Sequence, residues 1–219
     1  MGPVELLAVR HGESVLNAVA ADADRAVAVD PTMRDADVPL SPRGREQAAR
    51  LGRWLAGRPA DRTPDRVLCS PYTRAADTAA LVVAELARAG RPAPPPRVDE
   101  RLRDREWLNA DSPLELDRHR RLGLLYYRPP GGEAMTDVAL RLRTLLADLR
   151  RDEDGQRVLV VAHDAVVLML RYVIEGLAED EVVRLAASDP VRNAAVTRWV
   201  RDGEGLRLTD YNRADHLRF

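Results

Sequence analysis

The chain has 219 residues, enough for a compact domain with a sizeable core, and 45% hydrophobic with 32% charged residues is typical of a globular protein. A formal net charge of −1 excludes a strongly basic surface for nucleic acid or an anionic membrane, so any anion site must be local. The lack of lysine excludes P-loop and Schiff-base chemistry. No apolar run reaches the about 20 residues that span a bilayer, and the first is too early and short for a signal peptide, so we expect a cytoplasmic location.

In chain order, the first predicted element is a strand at 4–9 (VELLAV), because a continuous apolar run is typical of a parallel strand buried on both faces. A helix is predicted at 41–56, with Ser41 as its N-cap and a proline at its first position. The run RVLC at 66–69 predicts a second strand. It ends in the single cysteine, Cys69, which we interpret as a buried structural thiol.

The alternation of helix and strand continues through the second half. A helix is predicted at 70–90, with the Ser-Pro pair that begins it as its cap, and RPAPPPR at 91–97 is expected to return the chain to the sheet in extended form. A helix at 136–150, capped by Thr136, precedes a strand at 157–162.

Near the end, AAVTRWV at 194–200 and LRLTDY at 206–211 predict a hairpin. Strands that alternate with helices predict a doubly wound α/β sheet. We expect residues 1–219 to form a single domain in which segments at about 18–38 and 105–132 cover the site.

Polar side chains stand at the ends of three predicted strands. Arg10 and His11 follow the first, Ser70 and then Arg74 follow the second, and His163 follows the last. Because ligands bind outside the carboxyl ends of strands in open α/β sheets, we expect these side chains to converge. Two guanidinium groups and two imidazoles can surround a dianion, and phosphate fits them best. A lone histidine after a strand is usually a hydrogen-bonded turn residue, but two among only four histidines favour a site.

These residues carry a family resemblance. VRHGESVLN resembles the signature of the histidine phosphatase, or phosphoglycerate mutase-like, superfamily, and PLSPRGREQA, CSPYTRAADTA, GGEAMTDVALRL, VVAHDAVVLMLRYV and NAAVTRW resemble its later blocks in the expected order. The resemblance implies a three-layer α/β sandwich with a central, mostly parallel sheet flanked by helices, and no metal or organic cofactor. It implies that His11 is the nucleophile that becomes phosphorylated. The residues it implies for binding the phosphoryl group are Arg10, Asn17, Arg74 and His163.

The residue types agree with these roles. A neutral imidazole is a nucleophile near pH 7, and covalent capture divides hydrolysis into two easier steps. Fixed cations stabilise the charge on a transferring phosphoryl group, so no strong base is needed. The structural alternatives are a surface salt bridge for Arg10 and a solvated helix face for Arg74.

The proton donor for the leaving oxygen departs from the family pattern, which usually has glutamate there. ERLRDREWLNAD places Asp104 at that position, and Glu106 is close enough to replace it. We favour Asp104 and keep Glu106 as the alternative; both could instead pair with neighbouring arginines. To act as an acid, the carboxyl needs a pKa raised above about 4, most simply by burial beside the phosphate dianion. Asp164 replaces a glycine of many relatives, and we expect it to face away from phosphate.

The second cover segment leaves two interpretations open. Trp107, Tyr126 and Tyr127 could line an apolar pocket for the leaving group or simply pack. The arginines at 118, 120, 121 and 128 could bind a second anionic group or form a solvated helix face.

We therefore predict a cofactor-independent phosphomonoesterase that hydrolyses a small phosphorylated metabolite through a phosphohistidine. The alternatives are a phosphoglycerate mutase-type phosphoryl transferase, whose acid block matches less well, and a non-catalytic phosphate-binding module. No metal is expected, because the sequence has no carboxylate cluster or spaced His/Cys ligand set. The expected partner is a small phosphorylated substrate, with a homodimer as one option and neither nucleic acid nor a membrane.

Overall fold

The structure is a computed structural model that describes residues 1–21, 33–105 and 112–218. Within these ranges the strands are β1 (Glu5–Arg10), β2 (Arg66–Cys69), β3 (Arg97–Val98), β4 (Arg157–Ala162), β5 (Val196–Asp202) and β6 (Gly205–Arg213). The α-helices are α1 (Val15–Ala21), α2 (Pro42–Ala56), α3 (Thr73–Arg88), α4 (Pro113–Tyr126), α5 (Met135–Asp152), α6 (Asp164–Glu175) and α7 (Glu179–Ser188). None of the helices in these ranges has both the length and the apolar character required to cross a bilayer.

The six strands form one sheet in the order β3-β2-β4-β1-β5-β6. β1, β2, β3 and β4 are parallel, and β5 and β6 add an antiparallel edge hairpin. Side chains alternate along β1, so Leu6 joins a core cluster with α5 and α6, whereas Leu7 joins another with α2 and α3. The predicted α/β sandwich with a mostly parallel sheet between helical layers is confirmed.

Local patterns located several elements well. The strands predicted at 66–69 and 157–162 are β2 and β4 residue for residue. Ser41 caps α2, since its Oγ accepts a hydrogen bond from the N–H of Gly44 over 2.9 Å. The extended return of 91–97 ends in β3, which pairs in parallel with β2. Cys69 is buried, as expected.

Two predicted helix caps are wrong. α3 begins at Thr73, because the Ser70 hydroxyl accepts the N–H of Tyr72 in a turn before the helix rather than capping it. α5 begins at Met135, ahead of Thr136. The carboxylate of Asp137 accepts the N–H of Ala134 over 2.7 Å and so starts that helix earlier.

The loop after β1 lies against the N-terminus of α2. A Cβ on Gly12 would lie 2.4 Å from the carbonyl oxygen of Gly44, and a Cβ on Gly44 only 1.9 Å from that of Glu13. The Glu13 carboxylate accepts a hydrogen bond from Ser41 Oγ over 2.7 Å. Glycine at both positions therefore lets the loop that carries His11 rest directly on α2.

Candidate active site

Four side chains meet at the carboxyl ends of the parallel strands. His11 follows β1, Arg74 is the second residue of α3, Asp104 lies after β3, and His163 follows β4. The strand order places β2, β4 and β1 side by side, which is why segments distant in the sequence become neighbours. His11 and Arg74 are 3% and 4% exposed and His163 is fully buried. His11, Arg74 and Asp104 line a cavity of about 760 Å³.

The imidazole of His11 is held with one nitrogen directed at the site. Nδ1 lies 2.6 Å from the carbonyl oxygen of Gly12, so Nδ1 carries the hydrogen and donates it. Nε2 then has the lone pair, and it accepts a hydrogen bond from Nε of Arg74 over 3.2 Å. Burial lowers the pKa of His11 well below its ordinary value of 6.5, and the nearby His163 and Arg74 lower it further. His11 is thus a neutral base with an available nitrogen.

Arg74 is the centre of the site. Besides its contact with His11, Nη2 donates to Oδ2 of Asp104 over 2.9 Å. Asp35 approaches from the other side, where its backbone oxygen lies 2.6 Å from Nη1 and its carboxylate oxygens lie 3.2 Å from Nη1 and Nη2. Two carboxylates therefore hold the guanidinium that is suited to phosphate.

His163 is positioned from behind by a serine. Its Nε2 lies 2.8 Å from Oγ of Ser70, and its Nδ1 lies 3.2 Å from Oδ2 of Asp104. The rings of His163 and His11 meet edge-on with centroids 5.1 Å apart. The two imidazole rings are therefore direct neighbours, with Asp104 beside His163.

Asp104 is an ionised carboxylate in this arrangement. Burial raises the pKa of Asp104, but the neighbouring His163 and Arg74 outweigh burial and hold that pKa well below the ordinary range of aspartate. Oδ1 also accepts the N–H of Arg105 over 2.8 Å. The raised pKa expected for an acid beside a phosphate dianion is not found in the structure, where the Arg74 guanidinium contacts the carboxylate.

Arg10 and Asn17 form the other wall of the cavity. Nη1 of Arg10 donates to the carbonyl oxygen of Val191 over 2.7 Å. The amide oxygen of Asn17 accepts from Ser14 N–H and from Asn193 Nδ2, which makes its own Nδ2 the group it can offer to a ligand.

The model of the histidine phosphatase superfamily (branch 1) matches residues 6–214. The chain belongs to this superfamily. The match begins within β1 and ends directly after β6, so it includes all four side chains that meet in the site.

The proteins to which this superfamily member is similar include some named as mutases and others named as phosphatases. A 2,3-bisphosphoglycerate-dependent phosphoglycerate mutase of Methylobacterium sp. (strain 4-46) is 33% identical over 129 residues, 54% of this chain and 61% of that protein. An uncharacterized phosphatase, PhoE, of Bacillus subtilis (strain 168) is 28% identical over 183 residues, 83% of this chain and 85% of that protein. The structure of a mycobacterial glucosyl-3-phosphoglycerate phosphatase in complex with VO3 is 27% identical, with a TM-score of 0.70 over 95% of this chain and 98% of that one.

Several predicted residues of this superfamily member lie either outside the described residues or away from the site. Glu106 and Trp107 lie outside the described residues, as do parts of both predicted cover segments. Tyr126 is exposed. Tyr127 is buried, and its hydroxyl donates a hydrogen bond to the carboxylate of Glu115. Neither tyrosine lines the cavity beside His11. Three of the four arginines proposed for a second anion form ion pairs with aspartate or glutamate: Arg118, Arg121 and Arg128.

Sequence reasoning misplaced one residue of the site and overlooked another. Asp164 lines the cavity with its carboxylate 3.9 Å from Nη2 of Arg10, so the expectation that it faces away is wrong. Its Oδ1 accepts the N–H of Ala165 over 2.8 Å, and the positive charge of Arg10 lies near its other oxygen. The contact of Ser70 with His163 agrees with the expected convergence of the strand ends, whereas the contact of Asp35 with Arg74 joins segments distant in the sequence, and no local pattern signals it.

Proposed function

We propose that this protein is a cofactor-independent phosphomonoesterase that hydrolyses a small phosphorylated metabolite through phospho-His11. The observation that carries the proposal is the state of His11: a buried, neutral imidazole whose Nδ1 is tied to Gly12 and whose Nε2 lone pair faces Arg74. A nitrogen held in this way is a nucleophile without any further base.

In the first step, the Nε2 electron pair of His11 forms a bond to phosphorus while the ester P–O bond breaks. Arg10, Arg74, His163 and Asn17 hold the phosphoryl oxygens, whose charge they stabilise in the transition state. The leaving oxygen takes a proton and departs as the alcohol. In the second step, water attacks phosphorus, the P–N bond breaks, and its electron pair returns to Nε2 as phosphate leaves.

Asp104 supplies that proton. It is ionised before substrate binds because Arg74 and His163 surround it. A phosphate dianion that binds Arg74 and His163 draws both groups away from the carboxylate and adds a negative neighbour, so the pKa of Asp104 rises and the carboxyl becomes protonated. It then protonates the leaving oxygen, and in the second step it accepts a proton from the attacking water. Glu106 is the alternative acid.

The relatives support phosphoryl chemistry at this site but include both kinds of enzyme. The mutases among them favour a second candidate, in which phospho-His11 returns its phosphoryl group to another hydroxyl instead of to water. That reaction needs a bisphosphate to phosphorylate the enzyme first.

The deciding experiment measures phosphate release from a panel of phosphorylated metabolites, alongside conversion of 3-phosphoglycerate primed with 2,3-bisphosphoglycerate. We expect phosphate release that persists in a metal chelator, and radiolabelled phosphate on the wild-type protein after rapid quenching but not on His11→Ala. Primed mutase turnover exceeding hydrolysis would replace the proposal by the mutase. If the protein binds phosphate esters but turns over none of them in either assay, it is a non-catalytic phosphate-binding module rather than an enzyme.

A further inference from the structure

A second cavity of about 300 Å³ adjoins the cavity that is lined by His11, Arg74 and Asp104, here called the phosphate cavity. The walls of the second cavity are mostly apolar. Four helices, the loop before β5, and the strand β6 contribute its apolar lining. The lining includes Leu124, Met135, Leu168, Ala186, Val191 and Tyr211. The hydroxyl of Tyr211 donates to the carbonyl oxygen of Asp189 over 2.9 Å, so this polar group is already satisfied. From this cavity we infer that the enzyme takes phosphate monoesters of apolar alcohols, and that the apolar leaving group occupies the cavity during the reaction.

The two cavities share three wall residues, Asp104, Arg105 and Asp164. Arg105 is buried and donates from Nε and Nη2 to the carbonyl oxygens of Glu133 and Tyr127, each over 2.7 Å, so it fixes the chain that follows α4. A phosphoryl group at His11 lies in one cavity, and its ester oxygen must pass Asp104 to reach the other. The proposed proton donor therefore stands where the leaving oxygen separates from phosphorus. This inference rests on the proposed function for that step.

The chemistry of the boundary selects the leaving group. Beyond Asp104, Arg105 and Asp164, none of the described residues that line the cavity carries a positive charge, so a leaving group with its own carboxylate, as in phosphoglycerates, would be buried there without a partner. The apolar wall beyond them favours hydrocarbon, because burial of each methylene strengthens binding by about fourfold. At the volume of liquid water, about 30 Å³ per molecule, the cavity holds a group of about ten non-hydrogen atoms.

The test compares ethyl and hexyl phosphate, whose alkoxides are chemically alike as leaving groups and differ in apolar length. We expect kcat/KM for hexyl phosphate to exceed that for ethyl phosphate by on the order of 10²-fold, with 3-phosphoglycerate below both. Ala186→Phe places an aromatic ring in the cavity and should remove the hexyl advantage. Ala187→Phe, at the exposed neighbouring position on α7, is the matched control and should behave as wild type.

Binding gives a readout that does not depend on turnover. By calorimetry, wild type and Ala187→Phe should bind hexylphosphonate on the order of 10³-fold more tightly than methylphosphonate, and Ala186→Phe should bind both alike. If the phosphonates bind in this way but no phosphate ester is hydrolysed, the proposed function is refuted, whereas the inference that the cavity binds an apolar group is retained. Equal binding of the two phosphonates by wild type, or identical behaviour of the two phenylalanine variants, would overturn the inference even if hydrolysis is observed.

Discussion

Arg74 donates from Nε to Nε2 of His11 over 3.2 Å, so a fixed positive charge lies against the lone pair assigned to attack phosphorus. The same charge helps to lower the pKa of His11 and keeps the imidazole neutral. When substrate arrives, phosphoryl oxygens can bind the guanidinium next to the attacking nitrogen. This contact therefore links the protonation state of the nucleophile to the position of its target.

Replacing Arg74 by lysine should lower kcat/KM for any phosphate ester by on the order of 10² to 10³-fold. Lysine keeps the charge but cannot donate from several nitrogens in one plane to His11 and to phosphate. Steady-state kinetics with nitrophenyl phosphate measures this loss, and Arg121→Lys on the surface of α4 is the control. Retention of a third or more of wild-type activity by Arg74→Lys would contradict the assigned role.

Replacing Asp35 by asparagine should strengthen competitive inhibition by inorganic phosphate several-fold. The Asp35 carboxylate lies 3.2 Å from two nitrogens of Arg74, so phosphate must displace an anion before it binds. The control is Asp37→Asn in the same turn, because Asp37 pairs with Arg34 rather than with Arg74. An equal inhibition constant for Asp35→Asn and Asp37→Asn would show that Asp35 does not compete with phosphate.

Replacing Asp104 by asparagine should slow hydrolysis of an alkyl phosphate by about 10² to 10⁴-fold, and that of nitrophenyl phosphate much less. A nitrophenolate leaves without a proton, whereas an alkoxide needs one. Phosphate binding should hold or improve, since removal of the carboxylate frees Arg74 and lessens repulsion. Glu106→Gln is the comparison: if it alone shows the leaving-group-dependent loss, Glu106 and not Asp104 is the acid.

The buried neutral state of His11 should appear in the pH dependence of folding stability. The folded-state pKa of His11 lies below its unfolded value of 6.5, so the unfolded chain binds more protons as the pH falls below 6.5. The free energy of unfolding should decrease there by up to about 1.4 kcal/mol per pH unit from this group. The free energy of unfolding, measured by urea denaturation at several pH values between 5 and 7, should therefore change less steeply with pH for His11→Gln than for wild type. The lowered pKa of His216 acts in the same direction in both proteins and cancels in the comparison. Parallel slopes would mean that His11 is protonated in the folded state.

Replacing Gly44 by alanine should lower the free energy of unfolding by at least about 2 kcal/mol and reduce activity further. The new Cβ would lie 1.9 Å from the carbonyl oxygen of Glu13, so the loop that carries His11 must move away from α2. Gly57→Ala at the other end of α2 is the control. Gly57 has helical φ and ψ, and its nearest neighbour to a new Cβ is an oxygen at 3.4 Å. Similar melting temperatures for Gly44→Ala and Gly57→Ala would disprove the close approach.

Local patterns in the sequence were sufficient for β2, β4 and α2, and for the polar groups at the strand ends. A continuous apolar run or a Ser-Pro cap acts within a few residues, so its consequence is readable without the rest of the chain. The parallel sheet then requires the ends of β1, β2 and β4 to meet. This is why His11, Arg74 and His163 could be brought together in the prediction before any distance was known.

Long-range contacts decided the rest. Asp35 lies on Arg74, and Asp104 is ionised, because charges from different loops meet in a buried space whose shape no single segment defines. The apolar cavity is formed by four helices, of which only α5 is among the elements predicted from local patterns. Its walls exist only once those helices pack, because a cavity is the space that side chains distant in the sequence leave between them.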